Sequence, residues 1–185
     1  TPLYSSAASD VYKRQLDDRV VRLDVDTLEL GEPIAVDAGP QSLAATDDAV
    51  WVTSVVANTI SRIDPDTGTV IAMVTADGSP WDVAVGRDSV WVTLADVGEV
   101  IRIDPETNEI IETISVGTNP RGVAVTDTAV WVANTDDDTV TRIDPDTNRA
   151  TATIPVGDGP RGVYATETTV WVTNEGDGTV SRIDL

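Results

Sequence analysis

The sequence predicts an all-β protein built from repeated four-stranded antiparallel sheets. Three observations carry this. Trp51, Trp91, Trp131 and Trp171 recur at a fixed spacing of 40, as do Pro40, Pro80, Pro120 and Pro160. Each period holds four short runs rich in Val, Ile, Thr and Trp, separated by connectors of Gly, Pro, Asp and Asn. No stretch carries a helical period. A lone four-stranded sheet cannot hide both faces from water, and repetition lets each sheet cover the next. Four antiparallel strands in roughly 40 residues is the pattern of one β-propeller blade.

The elements follow in order. The opening TPLYSSAASDVYKRQ matches no later repeat and holds Lys13, the only lysine. Its string SSAASDVYKRQ resembles translated sequencing-adapter read-through, a contaminant of metagenomic assemblies. Residues 1–15 are therefore expected to be non-native or disordered, with the propeller occupying 16–185. Residues 19–36 supply only the last two strands of a blade, c and d. Full blades are expected at 40–76, 80–116 and 120–156, and 160–185 gives strands a, b and c. In the third full unit the strands are RGVAVT (121–126), AVWVAN (129–134), TVTRID (139–144) and RATATIPV (149–156). This register predicts an open partial ring of four to five blades. The alternative is a closed four-bladed ring, in which strand d of residues 29–36 completes the terminal a-b-c set and leaves the first strand c redundant.

Within each blade three features read as structural. Trp51, Trp91, Trp131 and Trp171 sit at one repeat position, so they are expected to pack between blades. Arg62, Arg102, Arg142 and Arg182 recur in strand c, two residues before an Asp, and an Arg–Asp pair between blades is expected to fix register. The turn Asp64-Pro65-Asp66-Thr67 recurs at 104–107 and 144–147. There Pro presets φ, and Asp accepts backbone N–H bonds. These turns lack the dense D-x-D-x-D-G spacing of a calcium loop.

Composition narrows the function. The chain has 185 residues, with 12 Lys+Arg against 32 Asp+Glu, a net charge of −20. That balance argues against nucleic acid, whose phosphates need a cationic footprint. No apolar run approaches the ~20 residues needed to span a bilayer, so no membrane insertion is expected. Cys and His are both absent, which removes thiol catalysis, disulfides and the usual general base.

Candidate binding residues lie where the repeat varies. In a propeller, strand a lines the axial channel, and the d–a and b–c loops share one rim. The position after each strand-a proline holds Gln41, Trp81, Arg121 and Arg161, three chemistries in one slot. Trp81 stands outside the packing series, and Arg121 with Arg161 would suit an anionic group. The b–c tips add Asn134 and Asn174, with Asp136 and Asp138 as weak candidates for a hard cation.

The segment DTVTRIDPDTNRATATIPVGDGPRGVYATETTVWVTN (138–174) strongly resembles the YVTN-type β-propeller repeat, with Trp where the family has Tyr. Streptogramin (virginiamycin B) lyases and NHL-type propellers are related in style. The resemblance covers residues 19–185. It implies an extracytoplasmic protein, periplasmic, secreted or at the cell surface, that serves as a rigid binding scaffold. Rings of this type usually have seven blades, about 280 residues at this period. The chain is therefore expected to be a fragment, an arc whose terminal blades are open to self-association. The expected function is a non-catalytic scaffold for an unknown protein or small-molecule ligand, with no cofactor. The alternative is a streptogramin-lyase-like enzyme whose catalytic residues lie in blades outside this sequence. In those lyases a His base works with a metal held by Glu, and with no His here no catalytic position carries over.

Overall fold

The computed structural model describes residues 11–14, 18–24 and 26–185. Among them there is no helix. Sheet I contains β1 (Val11–Arg14), β2 (Arg19–Arg22) and β3 (Ile34–Ala35). Sheet II contains β4 (Pro40–Ala45), β5 (Val50–Ser54), β6 (Thr59–Asp64) and β7 (Thr69–Thr75). Sheet III contains β8 (Pro80–Gly86), β9 (Ser89–Leu94), β10 (Glu99–Ile103) and β11 (Ile110–Ser115). Sheet IV contains β12 (Pro120–Val125), β13 (Val130–Asn134), β14 (Thr139–Asp144) and β15 (Arg149–Pro155). Sheet V contains β16 (Pro160–Ala165), β17 (Thr169–Asn174) and β18 (Thr179–Asp184). Every sheet is an antiparallel meander in chain order. The first strands β4, β8, β12 and β16 lie side by side, so the sheets fan out from a common axis as an open arc.

Two expectations change. The closed four-bladed alternative fails, because β3 pairs with β2 and not with any strand of sheet V. The second concerns the opening segment, expected to be non-native or disordered. Val11–Arg14 is a strand in repeat register: Val11 pairs with Arg22 as Trp51 pairs with Arg62. Residues 1–10 and 15 of that segment lie outside the described residues.

The core runs between sheets. Trp51, Ile60 and Val74 of sheet II meet Val83, Val90, Val92 and Ile103 of sheet III. Trp91 with Val100, and Trp131 with Val140, repeat this at the next two junctions. All three indoles are at most 1% exposed. On each β strand alternate residues face opposite ways. Thus Val50 and Val52 pack back onto Val20 of sheet I while Trp51 packs forward.

A guanidinium lies at each junction, and where it crosses to the next sheet its partner differs from the expected one. Arg62, Arg102 and Arg142 lie over Trp51, Trp91 and Trp131, with Cζ 5.4, 4.9 and 5.8 Å from the ring centroids. Arg102 Nη1 then donates across the junction to the Pro145 carbonyl and to Asn148 Oδ1, both at 2.8 Å. Arg62 does the same to Pro105 and Asn108, and Arg22 reaches the Pro65 carbonyl. The cross-blade acceptor is therefore a turn carbonyl, not an Asp carboxylate. Each turn's Asp is already engaged: Asp64 Oδ1 accepts the N–H groups of Asp66 and Thr67 at 2.9 Å. Those backbone bonds hold the carboxyls of Asp24, Asp64 and Asp144 below the ordinary Asp value. Arg142 bonds Thr151 Oγ1 and the Thr128 carbonyl, and Arg182 pairs with Asp184 at 2.6 Å, both within their own sheets.

Candidate functional site

The rim residues are positioned by a repeated irregularity. Each strand a opens on a buried proline and then slips register against strand b, a β-bulge, at Pro40/Ser42, Pro80/Val83, Pro120/Val123 and Pro160/Gly162. A bulge bends its strand and re-aims the extra side chain. Those side chains are Gln41, Trp81, Arg121 and Arg161. A threonine of strand b braces the bulge. Thr93 Oγ1 accepts the Asp82 N–H at 3.0 Å and donates to the Arg121 carbonyl of the next sheet at 2.8 Å. Thr53 does the same for the Ser42 N–H and the Trp81 carbonyl.

The structure unites two of the expected rim residues. The Arg121 guanidinium lies 4.0 Å from the centroid of the Trp81 ring, a cation–π contact across the junction of sheets III and IV. Both side chains are half-buried, and Asn119 Oδ1 accepts from Arg121 Nε at 3.4 Å. Arg161 goes elsewhere: it pairs with Glu175 of its own sheet at 2.5 Å, with both side chains well exposed. Such a pair in water holds weakly. Gln41 is half-buried at the same position of β4.

Asp82, next to Trp81, was not foreseen. Its Oδ1 accepts from Ser42 Oγ of sheet II at 2.6 Å, and its Oδ2 accepts the Val123 N–H of sheet IV at 3.0 Å. One carboxylate thus joins three sheets beside their common axis. The sequence carried a signal, since Asp82 is the only acid in β4, β8, β12 and β16. The equivalent residues are Ser42, Gly122 and Gly162. Gly122 has a steric reason: a Cβ there would lie 2.3 Å from the Arg161 carbonyl oxygen.

The loop candidates brace the rim. Asn134 and Asn174 are buried, at 0% and 2% exposure. Asn134 Nδ2 donates to Thr139 and Thr141, and its Oδ1 accepts the Gly117 N–H. Asn174 donates to Thr179 and Ser181 in the same way. Both amides tie strand b to strand c. Asp136 accepts from Asn119 Nδ2 at 3.0 Å, and Asp138 accepts the Gly159 N–H at 2.9 Å. Asp137 and Asp177 likewise take N–H groups of Thr118 and Asp158. These acids lock the b–c loops onto the d–a loops.

A cleft of about 270 Å³ lies away from this rim, between sheets I and II. Arg22, Val20, Ile34, Ala45, Val50, Ile63 and Pro65 line it. The matching positions at the next junction, among them Arg62, Ile60, Val85, Val90 and Ile103, surround Trp51. The cleft is thus the seat that an indole fills elsewhere, at the junction where the repeat's Trp position holds Val11.

No protein-family model matches the sequence, and no curated protein matches it. Solved structures do. A catalytically inactive His-to-Ala variant of virginiamycin B lyase from Staphylococcus aureus, with quinupristin, superposes with TM-score 0.82 at 19% identity, over 93% of this chain and 61% of that one. A streptogramin B lyase matches with TM-score 0.80 at 18% identity, over 97% of this chain and 66% of that one. Kuenenia stuttgartiensis hydrazine synthase matches with TM-score 0.56 at 11% identity, over 95% and 92%. The chain therefore spans 61% and 66% of the length of those two lyases. At such identities the likeness concerns the fold, and that fold is the β-propeller of the streptogramin lyases.

Proposed function

We propose that the chain is a non-catalytic binding scaffold, extracytoplasmic in setting, whose recognition face is the axial rim around Trp81 and Arg121. One observation carries this reading. Trp81 and Arg121 occupy the variable slot after the strand-a proline in neighbouring sheets, and their side chains are in contact. Two bulge braces and the Asp82 bridge hold that spot in place. A guanidinium seated on an indole keeps N–H groups to offer an anion, and the ring beside it offers a flat apolar surface. The favoured ligand is a small molecule or peptide carrying a carboxylate or phosphate next to an apolar group.

The test uses tryptophan fluorescence with benzoate and phenyl phosphate as probes. Saturable quenching by either probe, lost in both Trp81→Phe and Arg121→Gln, supports the reading. No saturable change, or the same change in both variants, defeats it.

Likeness to the lyases supports a second reading, that the parent protein is a related enzyme. The inactive lyase variant named above exchanges a His, and this chain has 0 His. That favours binding over catalysis for these residues. Chromatography of quinupristin incubated with the chain separates the two: conversion would establish the enzyme reading, and unchanged quinupristin leaves the scaffold.

A further inference from the structure

We propose that β7 is a docking edge for an extended, basic segment of a partner protein, which adds to sheet II as a further strand. The outer strand of a sheet leaves one row of backbone N–H and C=O groups unpaired, and such a row templates another chain. β7, β11 and β15 each close a four-stranded sheet in this way, and among the described residues β7 pairs with β6 alone. The three differ in chemistry. β15 opens on Arg149 and ends on Pro155, and β11 carries Glu112 midway. A charge or a proline of that kind deters strand addition. β7, which reads TVIAMVT from 69 to 75, has neither.

The apolar side chains of β7 stand in water. Ile71 is 51% exposed, Met73 53% and Val70 37%. The equivalent positions of β15 are exposed too, but they hold Thr151, Thr153 and Ala150. Exposure is thus common to the outer strands, and the apolar strip is particular to β7. Contiguous apolar surface of this kind marks an interaction site.

Charge selects the occupant. Residues 40–79 hold one Arg against five Asp. Asp66 lies shortly before β7 and Asp77 shortly after it, and both are exposed. The single cation, Arg62, is already engaged over Trp51 and with the Pro105 carbonyl and Asn108. A strand of alternating apolar residues flanked by Lys or Arg therefore matches both the Ile71–Met73 strip and the carboxylates at its ends. A second copy of this chain matches poorly, since its β7 brings the same acids and two copies at −20 repel. The edge lies on the perimeter, apart from Trp81 and Arg121, so it stands independently of the rim reading above.

The test adds a fluorescein-labelled peptide, Lys-Lys-Thr-Val-Thr-Ile-Thr-Val-Lys-Lys, to the full chain. Anisotropy reads binding, and amide hydrogen exchange by mass spectrometry reads its place. Saturable binding is expected, with exchange over 69–75 slowed at least about fivefold and exchange over 110–115 and 149–155 unchanged. Replacing the peptide's lysines by Glu should weaken binding at least about tenfold. Two analogues, each with one alternate set of backbone nitrogens methylated, separate the peptide's two edges, and at least one should bind about tenfold more weakly. Ile71→Thr with Met73→Thr gives β7 the pair that β15 already accommodates. That variant should bind about fivefold more weakly, with an unchanged circular dichroism spectrum. No saturable binding, equal affinity for the acidic peptide or for both methylated analogues, unchanged affinity in the double variant, or protection that falls outside 69–75 each overturns the proposal. Sedimentation showing the peptide-free chain self-associated, with 69–75 protected, overturns it too, because the occupant is then a second copy.

Discussion

Replacing Trp131 and Trp171 in turn by Ala separates packing between sheets from packing on a single sheet. The two residues share a repeat position, a strand register and an overlying arginine. They differ in burial: Trp131 is 1% exposed and Trp171 is 44% exposed. A buried Trp hides roughly 200 Å². At about 25 cal/mol per Å² that is near 5 kcal/mol of transfer free energy, in line with the ~3–5 kcal/mol seen for large aromatic to Ala changes in cores. Trp131→Ala should therefore destabilise by about 3–5 kcal/mol. Trp171 hides little more than half its surface and would leave no enclosed cavity, so Trp171→Ala should lose at most about 3 kcal/mol, and less than Trp131→Ala. Urea melts followed by circular dichroism measure both. Equal losses would refute flank-to-flank packing as the source of stability, and so would a larger loss at Trp171.

Two more predictions follow from the axis and the turns. Gly122→Ala forces a Cβ to within 2.3 Å of the Arg161 carbonyl oxygen, so it should prise sheet V from sheet IV and speed exchange across β16 by at least tenfold. Gly176→Ala, whose Cβ would meet the exposed Asp158 side chain, should leave β16 unchanged. Acid should act through the turn carboxylates. Asp24, Asp64, Asp144 and Asp177 all have carboxyls held below 3.8 by hydrogen bonds, so their contribution is complete above that pH and is lost as pH falls below it. The urea midpoint should fall below about pH 3.8, and about 1 M NaCl should not abolish that fall, because the bonds responsible are short-range. A midpoint that falls steadily from pH 7 would contradict this assignment.

The fold was legible because it is written in letters that repeat. Tryptophan every 40 residues, proline at each strand-a start and the Asp-Pro turn each follow from one local geometry used many times. What stayed hidden was the acceptor of each strand-c arginine. A backbone carbonyl has no letter, so the nearby Asp looked like the partner when the Pro145 and Pro105 oxygens were. Val11–Arg14 was hidden for another reason: its register is right, but its residues differ from the repeat. Asn134 and Asn174 looked like rim residues because they open the variable b–c tips. Their repetition with Thr139/Thr141 and Thr179/Ser181, five and seven residues on, was the sign that they brace the blade. The Trp81–Arg121 pair was legible as a departure from the repeat. Their stacking depends on a bulge in two separate sheets and emerges only in three dimensions.

The most direct test of inter-sheet packing is a double-mutant cycle between Arg102 and Asn148, which lie 46 residues apart and meet only if one sheet leans on the next. Charge-assisted bonds of this kind contribute about 1.5–3 kcal/mol. Arg102→Gln and Asn148→Ala should thus show a coupling of at least about 1 kcal/mol in urea melts. Arg102→Gln with Asn108→Ala, on the turn of its own sheet, should show none. Additive losses in the first pair, or equal coupling in both, would contradict the account.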